Sequence, residues 1–216
     1  MTIRSLAALT ASCAALALPA HGAELYVPMG LPGIGLGVAV PVGPLFALRA
    51  DFMTLGAREK NTVESGISYQ GKYKLDRTAL LADIFPFAGS FRLSAGAVSS
   101  NYKVTLDASG AGGSLTIGNR TYVTTAADGL NVQVTFPRST PYLGLGWGHH
   151  EGSGLRFSAD IGAAIGRAKV TAVPRGPITG QADLQGNIDK ELADLRDGVG
   201  KVRAFPQLSF GIGYSF

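Results

Sequence analysis

LSFGIGYSF, residues 208–216, alternates with period two: Leu208, Phe210, Ile212, Tyr214 and Phe216 fall on one side, Ser209, Gly211, Gly213 and Ser215 on the other. A β-strand points successive side chains to opposite faces, so this strand has one fully apolar face and one nearly free of side chains. The same pattern runs back through the chain. Ile34, Leu36, Val38, Val40 and Val42 alternate with Gly33, Gly35, Gly37, Ala39 and Pro41. Phe46 to Phe52, Leu80 to Ile84, Phe91 to Ala97, Leu143 to Trp147 and Leu155 to Ile165 repeat it.

Composition narrows what such strands can be. Hydrophobic residues make up 46% of the chain and charged residues 16%, which argues against disorder. Among 216 residues, 30 are Gly, and apolar residues alternate rather than recur at helical spacing, which argues against a water-soluble enzyme. Residues 25–48 carry no charge, yet four Pro and five Gly exclude a spanning helix there. A soluble β-sandwich also alternates, but its polar face carries Lys, Glu and Thr; here that face is Gly, Ser and a few charges. Segments near ten residues suit a tilted strand crossing a bilayer, apolar side toward lipid.

The start of the chain reads as an address. Residues 1–23 carry Arg4, an apolar run from Leu6 to Leu18 and small residues before Glu24, which predicts a secretory signal peptide cleaved after Gly22 or Ala23. Its removal takes the only cysteine, Cys13, and leaves residues 24–216 as one domain with 18 basic and 15 acidic side chains. Disulfides therefore play no part in its stability. A lipoprotein anchored at Cys13 would have an unusually short apolar region ahead of the cysteine.

The ending FGIGYSF resembles the C-terminal strand of Gram-negative outer-membrane barrels. TPYLGLGWGHHEGSG, residues 140–154, and LRDGVGKVRAFPQLSFGIGYSF, residues 195–216, resemble a group of small proteobacterial outer-membrane β-barrel proteins, of the OmpA, OmpX and OmpW size class, without an assigned activity. The resemblance implies an all-β, transmembrane, antiparallel up-and-down barrel in the bacterial outer membrane. It also implies that Tyr214 and Phe216 form an insertion signal read by the barrel-assembly machinery.

Tight turns at Gly43-Pro44, Pro86–Ser90 and His149–Gly154, with long connections at Leu55–Gly66, Leu106–Thr140 and Val173–Arg203, predict eight strands with the long loops outside. The first strand, Leu25–Met29, turns at Gly30–Gly33; ten strands result if Val132, Val134 and Phe136 pair within the second long loop.

Inward parity collects Arg49, Asp51, Asp83, Arg92, Arg156 and Asp160, three Arg against three Asp. Facing lipid, an Arg at the midplane costs about 2–4 kcal/mol; in a lumen the opposite signs pair. An eight-stranded barrel holds side chains and little else, so these residues predict a plugged lumen. A gated ion or proton path through the same residues is the alternative.

Basic residues gather at the expected outer strand ends. Lys72, Lys74, Arg77, Lys103, Arg167 and Lys169 are candidate contacts for the phosphates of lipopolysaccharide, against the plainer reading of a hydrated loop surface. The charge excess is too small to suggest nucleic acid. His149, His150 and Glu151 supply too few ligands for a metal and read as a solvated turn at the inner rim, far from outer-leaflet acyl chains that a lipid-cleaving enzyme would attack. GIGLG at Gly33–Gly37 lacks the spacing of a phosphate loop, and no cofactor is implied.

In the last loop Leu184, Ile188, Leu192 and Leu195 recur at helical spacing, with Asn187 as a candidate cap and Gly198 as a stop. That helix packs over the barrel mouth or offers its stripe to a surface protein. The expectation is a non-enzymatic barrel whose loops contact lipopolysaccharide or surface partners. The alternatives are a narrow, OmpW-like conduit for small apolar solutes, its wall interrupted at Pro41, Pro137 or Pro141, and an enzyme acting on outer-leaflet lipid.

Overall fold

The computed structural model describes residues 22–64, 67–110, 113–198 and 203–216. The expected signal peptide, residues 1–23, lies outside them except for its last two residues. The strands are β1 (Glu24–Leu31), β2 (Gly33–Pro41), β3 (Phe46–Glu64), β4 (Ile67–Ile84), β5 (Phe91–Gly110), β6 (Ser114–Ile117), β7 (Arg120–Val123), β8 (Gly129–Thr135), β9 (Ser139–Trp147), β10 (Gly154–Ile165), β11 (Lys169–Arg175) and β12 (Ala204–Ser215). One helix, α1 (Leu184–Gly198), precedes β12.

Eight of these form a ring of antiparallel pairings, β1-β2-β3-β4-β5-β9-β10-β12, with β12 returning to β1. Tyr214 on the last strand faces Leu25 on one side and Leu155 on the other. The apolar alternation lies outside the ring: Leu36 is 70% exposed and Phe157 69%, whereas Arg92 and Asp83 on the inner face are fully buried. Aromatic side chains mark the lower rim, where Phe91 packs on Trp147 and Tyr214 on Phe216.

Of the expected first long loop, Leu55–Gly66, residues 55–64 are instead strand. β3, β4 and β5 run to 19, 18 and 20 residues, well beyond a bilayer crossing. β8 lies along the upper half of β5 in the same register as β9, and β11 pairs with β8. Val132 and Val134 are therefore in strand, as the ten-strand alternative had them, but β8 prolongs β9 upward and the ring stays at eight. Phe136 lies just past β8 and hydrogen-bonds through its N–H to the Tyr102 carbonyl.

The wall is thus tall on β3-β4-β5-β8-β11 and low on β2-β1-β12. At the level where β3 leaves β2, the register with β4 shifts between Thr54 and Gly56, and Gly56 takes φ +70°. A bulge there bends the rising strand. Over the inner face of the tall wall lies a cap made of the β6–β7 hairpin, a turn of 3-10 helix (Pro177–Gly180) and α1. Leu115, Ile117, Tyr122, Ile178, Leu184, Ile188 and Leu192 from the cap close on Ala108, Leu130 and Val170 from the wall.

Candidate functional site

The interior of the ring is stacked in layers along its axis. At the lower end His149 is buried, its Nδ1 2.9 Å from Glu24 Oε2 and its ring 4.3 Å from that of Tyr26. The expected solvated histidine turn is corrected accordingly: the turn backbone folds His149 inward, and only His150 remains part-exposed.

Above it four charges cross the ring. Arg49 on β3 reaches Asp83 on β4 at 2.5 Å and Asp160 on β10 at 3.1 Å; Arg92 on β5 reaches Asp160 at 2.7 Å and Asp83 at 3.4 Å. Ser94 donates to Asp83 at 2.5 Å, and Arg92 donates to the Gly148 carbonyl at 3.1 Å. Arg92, Gly146 and Asp160 stand in one register row, and a Cβ on Gly146 would meet the Arg92 guanidinium carbon at 2.7 Å. Glycine on β9 is what lets the Arg92 side chain pass to the strand beyond.

The next layer holds Asp51, which pairs with Arg77 at 3.3 Å and accepts a hydrogen bond from Tyr26 at 3.1 Å. Arg77 lies over the Tyr142 ring at 5.6 Å and beside Met53. Its expected place among the outer contacts is overturned: it is 5% exposed, because β4 puts it on the face of Ala79, Leu81 and Asp83. Arg156, grouped by parity with the lumen charges, instead holds the lower turn, 3.1 Å from His150 and donating to the Glu151 carbonyl. At the top Tyr102, Phe136 and Phe205 form an aromatic layer, with Tyr102 and Phe205 4.3 Å apart, and Gln207 donates to the Tyr102 hydroxyl.

Sequence parity missed Glu24, Tyr26, Arg77 and His149. Glu24 and Tyr26 share a face with Pro28 on a strand that lacked a clear alternation, and Arg77 lay beyond the end assigned to its strand.

On the outer face, above the apolar band, Lys74 stands opposite Lys103, and Lys103 and Lys169 flank Thr135. Lys74 is paired with Asp76 and Lys72 with Glu59, each at 3.1 Å, and Arg167 is exposed. Tyr214 and Phe216 are exposed at the lower end of β12, where the Phe216 N–H donates to the Ala23 carbonyl.

The cap is tied down by polar contacts as well as its core. Asp128 accepts the N–H groups of Thr125 at 2.8 Å and Ile178 at 2.6 Å, which hold its carboxyl below the usual carboxylate range. α1 begins at Leu184, so Asn187 is not its cap; it sits inside the first turns and donates to the Tyr122 hydroxyl at 2.8 Å. Gly118, at φ +58°, donates to Glu191 at 3.1 Å, and a Cβ there would strike the Asn187 carbonyl. Arg120 pairs with Asp183. The apolar stripe of α1, as far as Leu192, is thereby covered from within; the Leu195 side chain lies outside the described residues.

No protein-family model matches the chain, and no curated protein matches it. Among solved structures, CarO2 of Acinetobacter baumannii superposes with a TM-score of 0.58 at 16% identity, over 91% of this chain and 99% of that one. CarO of the same organism gives 0.56 at 19% identity, over 92% and 98%. A major outer membrane protein of Thermus thermophilus gives 0.40 at 14% identity, over 90% and 98%. The likeness to the two CarO structures shows the fold: a mostly antiparallel β protein with an eight-strand ring, of the kind found in CarO-like outer-membrane barrels.

Proposed function

We propose that this chain is a non-enzymatic protein of the bacterial outer membrane, a closed eight-stranded transmembrane barrel whose lumen is plugged by its own side chains and whose exposed, folded cap makes its contacts outside the cell. The observation that carries this reading is the four-charge cluster Arg49, Asp83, Arg92 and Asp160, which spans the ring from β3 to β10. Two guanidiniums and two carboxylates pair with one another in a space that eight strands leave only side-chain wide. The aromatic layer of Tyr102, Phe136 and Phe205 adds a second obstruction above.

Lys72, Lys74, Lys103 and Lys169 face outward just above the apolar band and, with the exposed Arg167, would meet lipopolysaccharide phosphates. The barrel-assembly machinery inserts the chain by reading Tyr214 and Phe216. A surface partner would meet the polar side of the cap, since the apolar stripe of α1 is spent on the cap's own core.

The test is migration of unboiled and boiled protein on gels, followed by planar-bilayer recording. A heat-modifiable band with no sustained conductance is the expected result. A monomeric, fully folded protein in detergent-free buffer contradicts the membrane reading. Steady single-channel steps contradict the plug and favour a conduit, and an altered lipid A acyl count in cells that make the protein would favour an enzyme.

A further inference from the structure

The inner face of the tall wall is covered unevenly. Two register rows cross it, Arg58–Tyr73–Val104–Val134 and Lys60–Gly71–Leu106–Val132. The cap packs on the β8 members, Val132 and Val134, but stops there. Val104 remains 47% exposed, Leu106 41% and Tyr73 38%, although they share the face of buried Tyr102 and Ala108. These three form an apolar strip at the outer mouth, above the Tyr102–Phe205 layer.

At the far end of the strip two cations stand on the same face. Arg58 and Lys60 are both exposed on the upper part of β3, next in register to Tyr73 and Gly71. Gly71 leaves the path from Lys60 to Leu106 open, since a Cβ there would meet only the Lys60 carbonyl, at 3.5 Å. From β3 across to β8 is three strand spacings, about 14 Å. A strip with apolar walls and paired cations at one end is complementary to a molecule with a chain and an anionic head. On the proposed membrane reading outer-leaflet lipid is not the source, because it lies outside the ring and below the level of the strip, so the occupant must arrive through water.

We propose that this strip binds a water-borne anionic amphiphile, a medium-chain carboxylate, with its carboxylate on Arg58 and Lys60 and its chain along Tyr73, Leu106 and Val104 toward the cap. Charge-assisted hydrogen bonds hold the head, and removal of the apolar side chains from water supplies affinity for the chain. This goes beyond the proposed function, which assigns no ligand to the mouth.

The experiment is calorimetric titration of decanoate into the protein in phosphatidylcholine nanodiscs, with empty nanodiscs as the blank. Saturable binding above the blank is expected, with decylamine giving none. Arg58→Glu with Lys60→Glu should weaken decanoate binding at least tenfold, and Val104→Ser with Leu106→Ser several-fold. Heat given off only as in the blank, equal affinity for decylamine, or an unaffected charge-reversed variant would each overturn the site. Arg58 and Lys60 lie on an exposed strand outside both cores, so that variant is expected to fold even where the serine pair does not. Heat-modifiable migration of every variant reports the barrel separately, so loss of binding and loss of the barrel are read apart.

Discussion

Strand β5 keeps one parity along its length and carries two opposite chemistries. In its lower half Phe91, Leu93 and Ala95 point outward while Arg92 and Ser94 point inward; in its upper half Asn101, Lys103 and Thr105 point outward while Tyr102 and Ala108 point inward. β4 reverses in the same way, from outward Leu80 and Ile84 to outward Lys72 and Lys74, with Tyr69 packed inward beneath the cap. What differs is the solvent. On the proposed membrane reading, the outside below the reversal is lipid and the inside must satisfy charges; above it the outside is water and the inside carries the apolar core beneath the cap. One continuous sheet thus serves two folding problems, and on that reading the reversal near Ser99–Asn101 marks where the hydrocarbon ends.

The comparison can be broken at either half. The largest effect belongs to the lower interior: Arg92→Leu leaves Asp83 and Asp160 short of a partner and should cost about 3–5 kcal/mol. Urea unfolding followed on gels by heat-modifiable migration measures it, and an unchanged midpoint would remove the cluster from the account. Next comes a matched pair on the outer face. Leu145→Arg, in the apolar band, should cost about 2–4 kcal/mol in bilayers, whereas Thr105→Arg, above it, should cost almost nothing. Equal penalties would mean that the two halves see the same medium.

A smaller effect separates the two cores. Ile117→Val deletes one methylene from the fully buried centre of the cap and should cost about 1 kcal/mol. Hydrogen exchange should register it in β6, β7 and α1 while the urea transition of the ring stays put. The smallest is a pH effect. Because the folded-state value of Asp128 is lowered, its contribution to the cap is present above about pH 4 and fades as pH falls through that lowered value. Asp128→Asn should flatten the acid dependence of cap protection between neutral pH and pH 3, leaving the ring unaffected.

The reversal also explains what the sequence disclosed and what it hid. From Leu208 to Phe216 and from Leu155 to Ile165 the apolar side faces outward along the whole length, so simple alternation reads these strands correctly. Arg49, Asp83, Arg92 and Asp160 are legible as inward because the other face of each strand is continuously apolar. Beyond Ser99 the apolar parity switches sides, and a pattern followed at fixed phase dissolves into an apparent loop at Leu106–Thr140. Arg77 was misplaced for the same reason, since it lies where outward residues turn polar. His149 had no periodic signal at all: it follows the end of β9 with φ +60°, and only the turn's three-dimensional path brings it to Glu24. The helix was visible from Leu184, Ile188 and Leu192, but its partners, Ile117 and Tyr122 on a short hairpin, come from a different loop that spacing could not connect to it.

The central claim is that the outer face of one strand passes from lipid to water without a change of parity. Spin labels placed singly at 93, 95, 97, 101, 103 and 105 in lipid bilayers test it by collision with oxygen, which concentrates in hydrocarbon, and with a water-soluble nickel chelate. The account predicts oxygen-dominated relaxation at 93, 95 and 97 and nickel-dominated relaxation at 103 and 105, with the crossover near 99–101. Uniform accessibility along the series, or a crossover displaced into the Leu93–Ala97 stretch, would contradict it.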